Sequence, residues 1–402
     1  MKQTFLLLIL LFCLPIEAQQ TYRARVVDAE TGEALPMARV FVSAENYTVA
    51  NEDGGFSIQT APSGVLRISY VGYETQEWKA TNLPSQIKMR PLTRELGEVR
   101  AIPVERIMLK LIKKLNTENH RNGSRKAHYF YRFTNIGVRQ TLIIEAFIRA
   151  YSTININKAR VLNGRIFQQD STISCYESMP EEFCRFQHEM FELAPEIPPG
   201  TRSVFSEGLN LPLPEWAETV SDLAGRDFSC AVLRSEKGEE IYRIDVQVDA
   251  AASALAGEKY ALFSPKHALS GTLYLKKKPL RLLSFDGELT GFHMLKPDSS
   301  KHPASIHLHI DYRHSSGYTE PTTVYCVMKS DDFETRMLAF MVDNRRLEYI
   351  PGCWPYNNEW QVDFLYGIKN SRYKPKLWTN EIVRRTEEEE RIVRKMAETP
   401  DE

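Results

Sequence analysis

The stretch 50–58, ANEDGGFSI, decides how the N-terminal part of this chain is read. Gly54 and Gly55 tolerate positive φ, and the Asn51 and Asp53 side chains bond readily to nearby backbone, so the segment is a turn. It stands between β-prone residues 47–50 and 56–59, which predicts a tight hairpin. Working outward, further β-prone stretches lie at 22–27, 39–43, 65–70, 74–79 and 86–89, divided by turn residues at the spacing of a small sandwich. Together they predict a seven-stranded immunoglobulin-like (transthyretin-like) fold. Gly72 turns the chain again and leaves Tyr70 and Tyr73 to pack together or to anchor the corner through their hydroxyls.

Three segments carry a family resemblance: RVVDAETGEALPMARVFV at 25–42, ANEDGGFSI at 50–58 and LRISYVGYETQEW at 66–78. In this order and spacing the region resembles the carboxypeptidase D regulatory-like domains that precede TonB-dependent glycan importers and occur in many other envelope proteins. Many members carry glycine after the Leu-Pro pair, whereas this chain has Met37, a departure that would alter one turn and keep the fold. The resemblance implies a folded adaptor in the cell envelope without catalytic residues, and it implies little about a ligand.

Lys2, the apolar run 5–14 and the small Ala18 read as a signal peptide over residues 1–18, cleaved before Gln19. The run is about half the ~20 residues of a spanning helix, and Phe12 is too bulky for lipidation at Cys13. The expectation is export, to the periplasm or to the outer membrane, with no transmembrane helix after processing. A chain of 402 residues exceeds one ordinary domain; it divides into the sandwich at 19–91, a linker and amphipathic helix at 92–125 and a large β domain at 126–402. With 51 basic and 52 acidic residues there is no electrostatic footprint for nucleic acid or an anionic membrane surface. Cys175, Cys184, Cys230, Cys326 and Cys353 make no disulfide framework and no CxxC pair. Cys175 and Cys184 would close a short loop in an oxidising compartment, or else the thiols are buried and free.

Pro103 suits a first helical position, and Val104, Ile107, Met108, Leu111, Ile112 and Leu115 form one apolar stripe. Packing on the following β domain accounts for it better than a membrane surface does. Residues 128–135 and 140–151 read as long strands, and 227–235, 240–249, 269–276, 280–289, 305–313, 322–328 and 336–342 as an antiparallel meander. Lys237 with Gly238 and Lys278 with Pro279 suit its hairpins. Residues 180–224 read as helical turns covering one side, and 378–396 as a charged helix, an ending unlike that of a membrane barrel. The fold class is therefore mainly β: sandwich, linker helix, then a larger curved antiparallel sheet or half-barrel with covering helices. The helix, HYFYRF at 128–133 and the strand succession also resemble uncharacterised envelope proteins with the same N-terminal module, which implies no activity.

In SIHLHIDYRH, residues 305–314, the side chains of His307, His309 and Asp311 share one strand face and have the donor types of a zinc or other divalent-ion site. The opposite face is apolar, so the simpler reading places the polar side in water. HEMFE at 188–192 lacks the second histidine of a zinc-protease helix, having Glu192 there. GxSxG, P-loop and dinucleotide motifs are absent from the sequence, and no cofactor is implied. Glu145, Asp245, Asp286 and Glu288 would act as acid and base if folding brought two of them within ~5–10 Å. Trp354, Tyr356 and Trp360 in CWPYNNEW form a candidate platform for sugars or lipid chains. These features lead to the expectation of a non-catalytic envelope accessory protein whose sandwich spaces or docks and whose large domain binds a protein, glycan or lipid. The alternative is an envelope hydrolase, metal-dependent if the His307 cluster holds an ion. An apolar cavity would mark an acyl carrier, a shallow groove a glycan module, and a cleft with carboxylates or histidines converging away from water the hydrolase.

Overall fold

The computed structural model describes residues 19–94, 103–122, 125–137, 141–152, 156–168, 213–214, 217–248, 268–295, 301–315, 317–330, 333–342, 368, 371, 377–378 and 382–398. The chain forms two compact units, one running to Pro91 and taking in Leu377–Thr386, the other comprising Leu92–Lys376 and Glu387–Glu402.

In the first unit, β1 (Gln20–Asp28), β2 (Arg39–Ser43), β3 (Asn46–Val49), β4 (Gly55–Thr60), β5 (Val65–Ser69), β6 (Gln76–Lys79) and β7 (Gln86–Met89) build two sheets. Their orders are β4-β1-β7 and β3-β2-β5-β6. Alternation directs Val26, Phe56, Leu66, Ile68, Ile87 and Met89 into one buried core. The hairpin expected at residues 51–55 is not one: β3 and β4 belong to different sheets, and the turn carries the chain across the sandwich. Asn51 Oδ1 accepts the Gly55 amide at 2.7 Å. Gly54 has φ 75°, and a Cβ there would lie 2.4 Å from the Val26 carbonyl oxygen, so the turn is pressed onto β1. At the second corner Tyr73 donates its hydroxyl to Asp28 Oδ2 at 2.7 Å and meets the Tyr70 ring edge-on at 5.3 Å. The Thr31 amide first, and then Tyr73, hold the Asp28 carboxyl below its usual range. Met37 takes the left-handed conformation at φ 62° and is buried. That conformation costs ~1–2 kcal/mol, offset by ~1.5–3 kcal/mol from burying the side chain.

Residues 382–386 of this unit are not helical, with bends at 382 and 383, contrary to the expectation of a helix from 378. Thr48 Oγ1 donates to the Ile382 carbonyl at 2.6 Å and Asn51 Nδ2 to that of Arg385 at 3.0 Å. Sandwich side chains thus use acceptors that a helix would give to its own amides.

The second unit contains β8 (Thr93–Arg94), α1 (Val104–Asn122), β9 (Arg125–Gly137), β10 (Thr141–Ser152), β11 (Ile156–Gln168), β12 (Arg226–Arg234), β13 (Glu240–Val248), β14 (Ala268–Lys276), β15 (Arg281–Leu295), β16 (Lys301–Ser315), β17 (Tyr318–Ser330), β18 (Phe333–Met341) and α2 (Glu387–Glu398). The strands form one 11-stranded antiparallel sheet, ordered β11-β10-β9-β18-β17-β16-β15-β14-β13-β12-β8 and not closed into a barrel. The meander β12 to β18 is sequential, but β18 then pairs with β9, so the early strands extend its far side. β11 escaped the sequence reading because two register irregularities against β10 break its alternation. As expected, the α1 stripe is buried: Met108, Leu111 and Ile112 join a core with Tyr129, Tyr131, Phe133, Leu273 and Phe285 on one face of the sheet. Burying each such side chain contributes roughly 1.5–3 kcal/mol. Cross-strand partners Gly271 and Gly287 lie under the Phe285 ring on this face; a Cβ on Gly287 would come within 2.6 Å of it. Of the segment 180–224, residues 180–212 lie outside the described residues, and Val220–Leu223 is a 3₁₀ turn capped reciprocally by Thr219 and Asp222. Among the described residues no helix is long and apolar enough to cross a membrane.

Candidate functional site

The face of the large sheet opposite α1 is polar over β12 to β16. In register, His307, His309 and Asp311 on β16 stand opposite Glu288, Asp286 and Ser284 on β15. The shared face expected from alternation is there, but its polar side is not all in water: His309 and Asp311 are 5% and 3% exposed. His309 Nδ1 lies 2.9 Å from Asp286 Oδ2, while its Nε2 faces Asp311 Oδ1 at 3.5 Å. His307 Nε2 reaches the other Asp286 oxygen at 3.2 Å, and its ring meets Tyr325 edge-on. One carboxylate therefore holds two imidazoles, and the inner imidazole is held between two carboxylates.

The electrostatics follow from that row. Burial works against a charged His309, but Asp311 and Asp286 overcome it and raise the group to about 10. Burial likewise opposes ionisation of Asp286, and the hydrogen bonds from His307 and His309 win, holding its carboxyl far below the ordinary range. His309 Nδ1 is taken up by Asp286, and its buried Nε2 makes no hydrogen bond, lying 3.5 Å from Asp311 Oδ1. Among the described residues no group of three or more His, Cys, Asp or Glu side chains is arranged to hold a metal ion.

Beside this row an open groove of about 610 Å³ crosses β12 to β16, lined by residues including Asp227, Gln247, Ser270, Asp286, Glu288 and His307. Within it Asp245 accepts Thr272 Oγ1 at 2.7 Å and Arg243 Nε at 3.1 Å. His307 and Asp286 present part of their surface to solvent, with side chains 43% and 40% exposed.

The other sequence candidates separate. Glu145 is on β10, five strand positions from Asp286, or about 24 Å at the usual ~4.8 Å spacing. It is buried between Arg132, at 2.9 Å, and Arg165, at 2.6 Å, and is not paired with the groove carboxylates. Asp245, Asp286 and Glu288 do share the groove. Trp354, Tyr356 and Trp360 lie outside the described residues, as do Cys175, Cys184 and Cys353. Cys230 and Cys326 are free thiols. Burial pushes the first up to about 11 and the second further, so neither is a thiolate at neutral pH. The role of Asp286 as the acceptor between two histidines was missed by sequence reasoning. Its alternation with Ser284 and Glu288 was visible, and the meander made β15 and β16 neighbours, but the register that sets Asp286 opposite His309 was not.

No curated protein and no solved structure matches the chain. Residues 23–99 match the family model described as the CarboxypepD_reg-like domain. The β-sandwich at the N-terminus is a domain of that family.

Proposed function

We propose that this chain is an exported, non-catalytic accessory protein of the cell envelope, in which the sandwich is a folded adaptor and the large sheet binds a glycan in its polar groove. The groove carries the reading: about 610 Å³, open, and furnished with carboxylates, an amide, hydroxyls and a half-exposed imidazole. Those groups exchange hydrogen bonds with sugar hydroxyls and offer little to an acyl chain. The apolar face of the same sheet is packed against α1, which weighs against a lipid there.

The rival hydrolase needs a carboxyl held protonated as an acid or a nucleophile beside its base. Asp286 is held ionised, and His307 is hydrogen-bonded to Asp286 with its ring edge-on to Tyr325. Titration calorimetry of the full chain against soluble envelope oligosaccharides tests the reading. Saturable binding weakened by His307→Gln supports it. Release of new reducing ends during the titration would replace it with the hydrolase.

A further inference from the structure

We infer that the sandwich carries a peptide-docking slot along β3 and the 51–55 turn, and that its occupant is the chain's own irregular segment 382–386. The slot is built from side chains that are themselves buried: Thr48 is 3% exposed and Asn51 5%. Each donates to a main-chain carbonyl of the segment, Thr48 Oγ1 to Ile382 at 2.6 Å and Asn51 Nδ2 to Arg385 at 3.0 Å. Between those two anchors Val383 is fully buried. The Arg384 guanidinium lies 3.2 Å from where a Cβ on Gly55 would stand, so the glycine leaves room for the passing segment.

The Asn51 amide divides its work. Its oxygen accepts the Gly55 amide and shapes the turn, while its nitrogen is spent on the segment. The turn motif that marks the domain in the sequence is thus also a reader of main-chain carbonyls. Reading carbonyls suits a segment whose backbone is not committed to a helix or a sheet. While the segment is seated, another protein has no access to this edge of the adaptor. The inference is independent of the groove.

Hydrogen exchange with mass spectrometry on the intact chain tests it, using Thr48→Val and Asn51→Asp. The first removes a donor at constant shape. The second keeps the oxygen that serves Gly55 and removes the nitrogen that serves Arg385. The expected result is exchange at residues 382–386 faster by roughly fivefold in each variant and more than tenfold in the double variant, as loss of one or two hydrogen bonds requires. Protection of β5 and β7 should hold. Unchanged exchange at 382–386 overturns the slot. So does acceleration spread evenly over the sandwich, which would make Thr48 and Asn51 parts of the fold alone. In a second measurement, a protease site is engineered after Lys376 and the cut chain is followed on a sensor surface. Faster release of the 377–402 fragment from the double variant than from the unsubstituted chain agrees with docking, and equal release contradicts it.

Discussion

One face of the large sheet treats charge in two ways. At the β9–β11 end, Glu145 is enclosed with Arg132 and Arg165, and α2 adds Glu389, which accepts Thr134 Oγ1 at 2.6 Å and faces Arg132 at 3.4 Å. At the β12–β16 end, Asp286 and His307 line an open groove, and His309 and Asp311 are buried beside them. Both clusters lie on one cross-strand row, His309 opposite Tyr325, Tyr325 opposite Leu338, and Leu338 opposite Arg132. The closed end uses guanidinium, whose charge is permanent. The open end uses imidazole, whose charge its neighbours set. The first arrangement fastens a helix, whereas the second leaves polar groups available to a ligand.

The largest effect expected is at the closed end. Glu145→Gln leaves two arginines without their shared carboxylate, and urea denaturation should show a loss of about 3–5 kcal/mol, as for breaking other buried pairs. A loss under ~1 kcal/mol would remove the contrast, because the closed cluster would then behave like a surface pair.

At the open end the test is one of pH. His309 has its folded value raised from 6.5 to about 10, so its contribution is complete below about 6.5 and is lost as pH rises towards 10. Asp286 has its value lowered, so its contribution is present above 3.8 and lost only in stronger acid. Denaturation midpoints should therefore fall from pH 7 to pH 10, and His309→Gln should flatten that fall. An equal slope in the variant would place the pH dependence elsewhere.

His307→Gln is smaller again for stability, within about 1 kcal/mol, because the side chain is half exposed. Its signature is in binding: oligosaccharide affinity falling about tenfold, which is ~1.4 kcal/mol. Glu388→Gln is the smallest. It removes an ion pair to Arg336 at 3.3 Å in which the glutamate is 44% exposed. A change of no more than ~0.5 kcal/mol is expected by thermal melting, which separates the rim of α2 from its enclosed Glu389.

Much of the local structure was legible. Apart from β8 and β11, the strands of both units followed from alternation and turn residues, α1 from a stripe of apolar positions, and the common face of His307, His309 and Asp311 from the two-residue period of a strand. The N-terminal sandwich was recognisable because its turns demand particular residues at particular places, Gly54 pressed against Val26 among them. What the alternation could not show was the cross-strand register, or which segments distant in the chain become neighbours. Pairing β18 with β9, setting Asp286 between two histidines, and drawing residues 382–386 onto Thr48 and Asn51 all join positions remote in the chain. Periodicity assigns a side chain to a face, but only cross-strand register and the packing of distant segments give that face its partners, and with them its burial and charge.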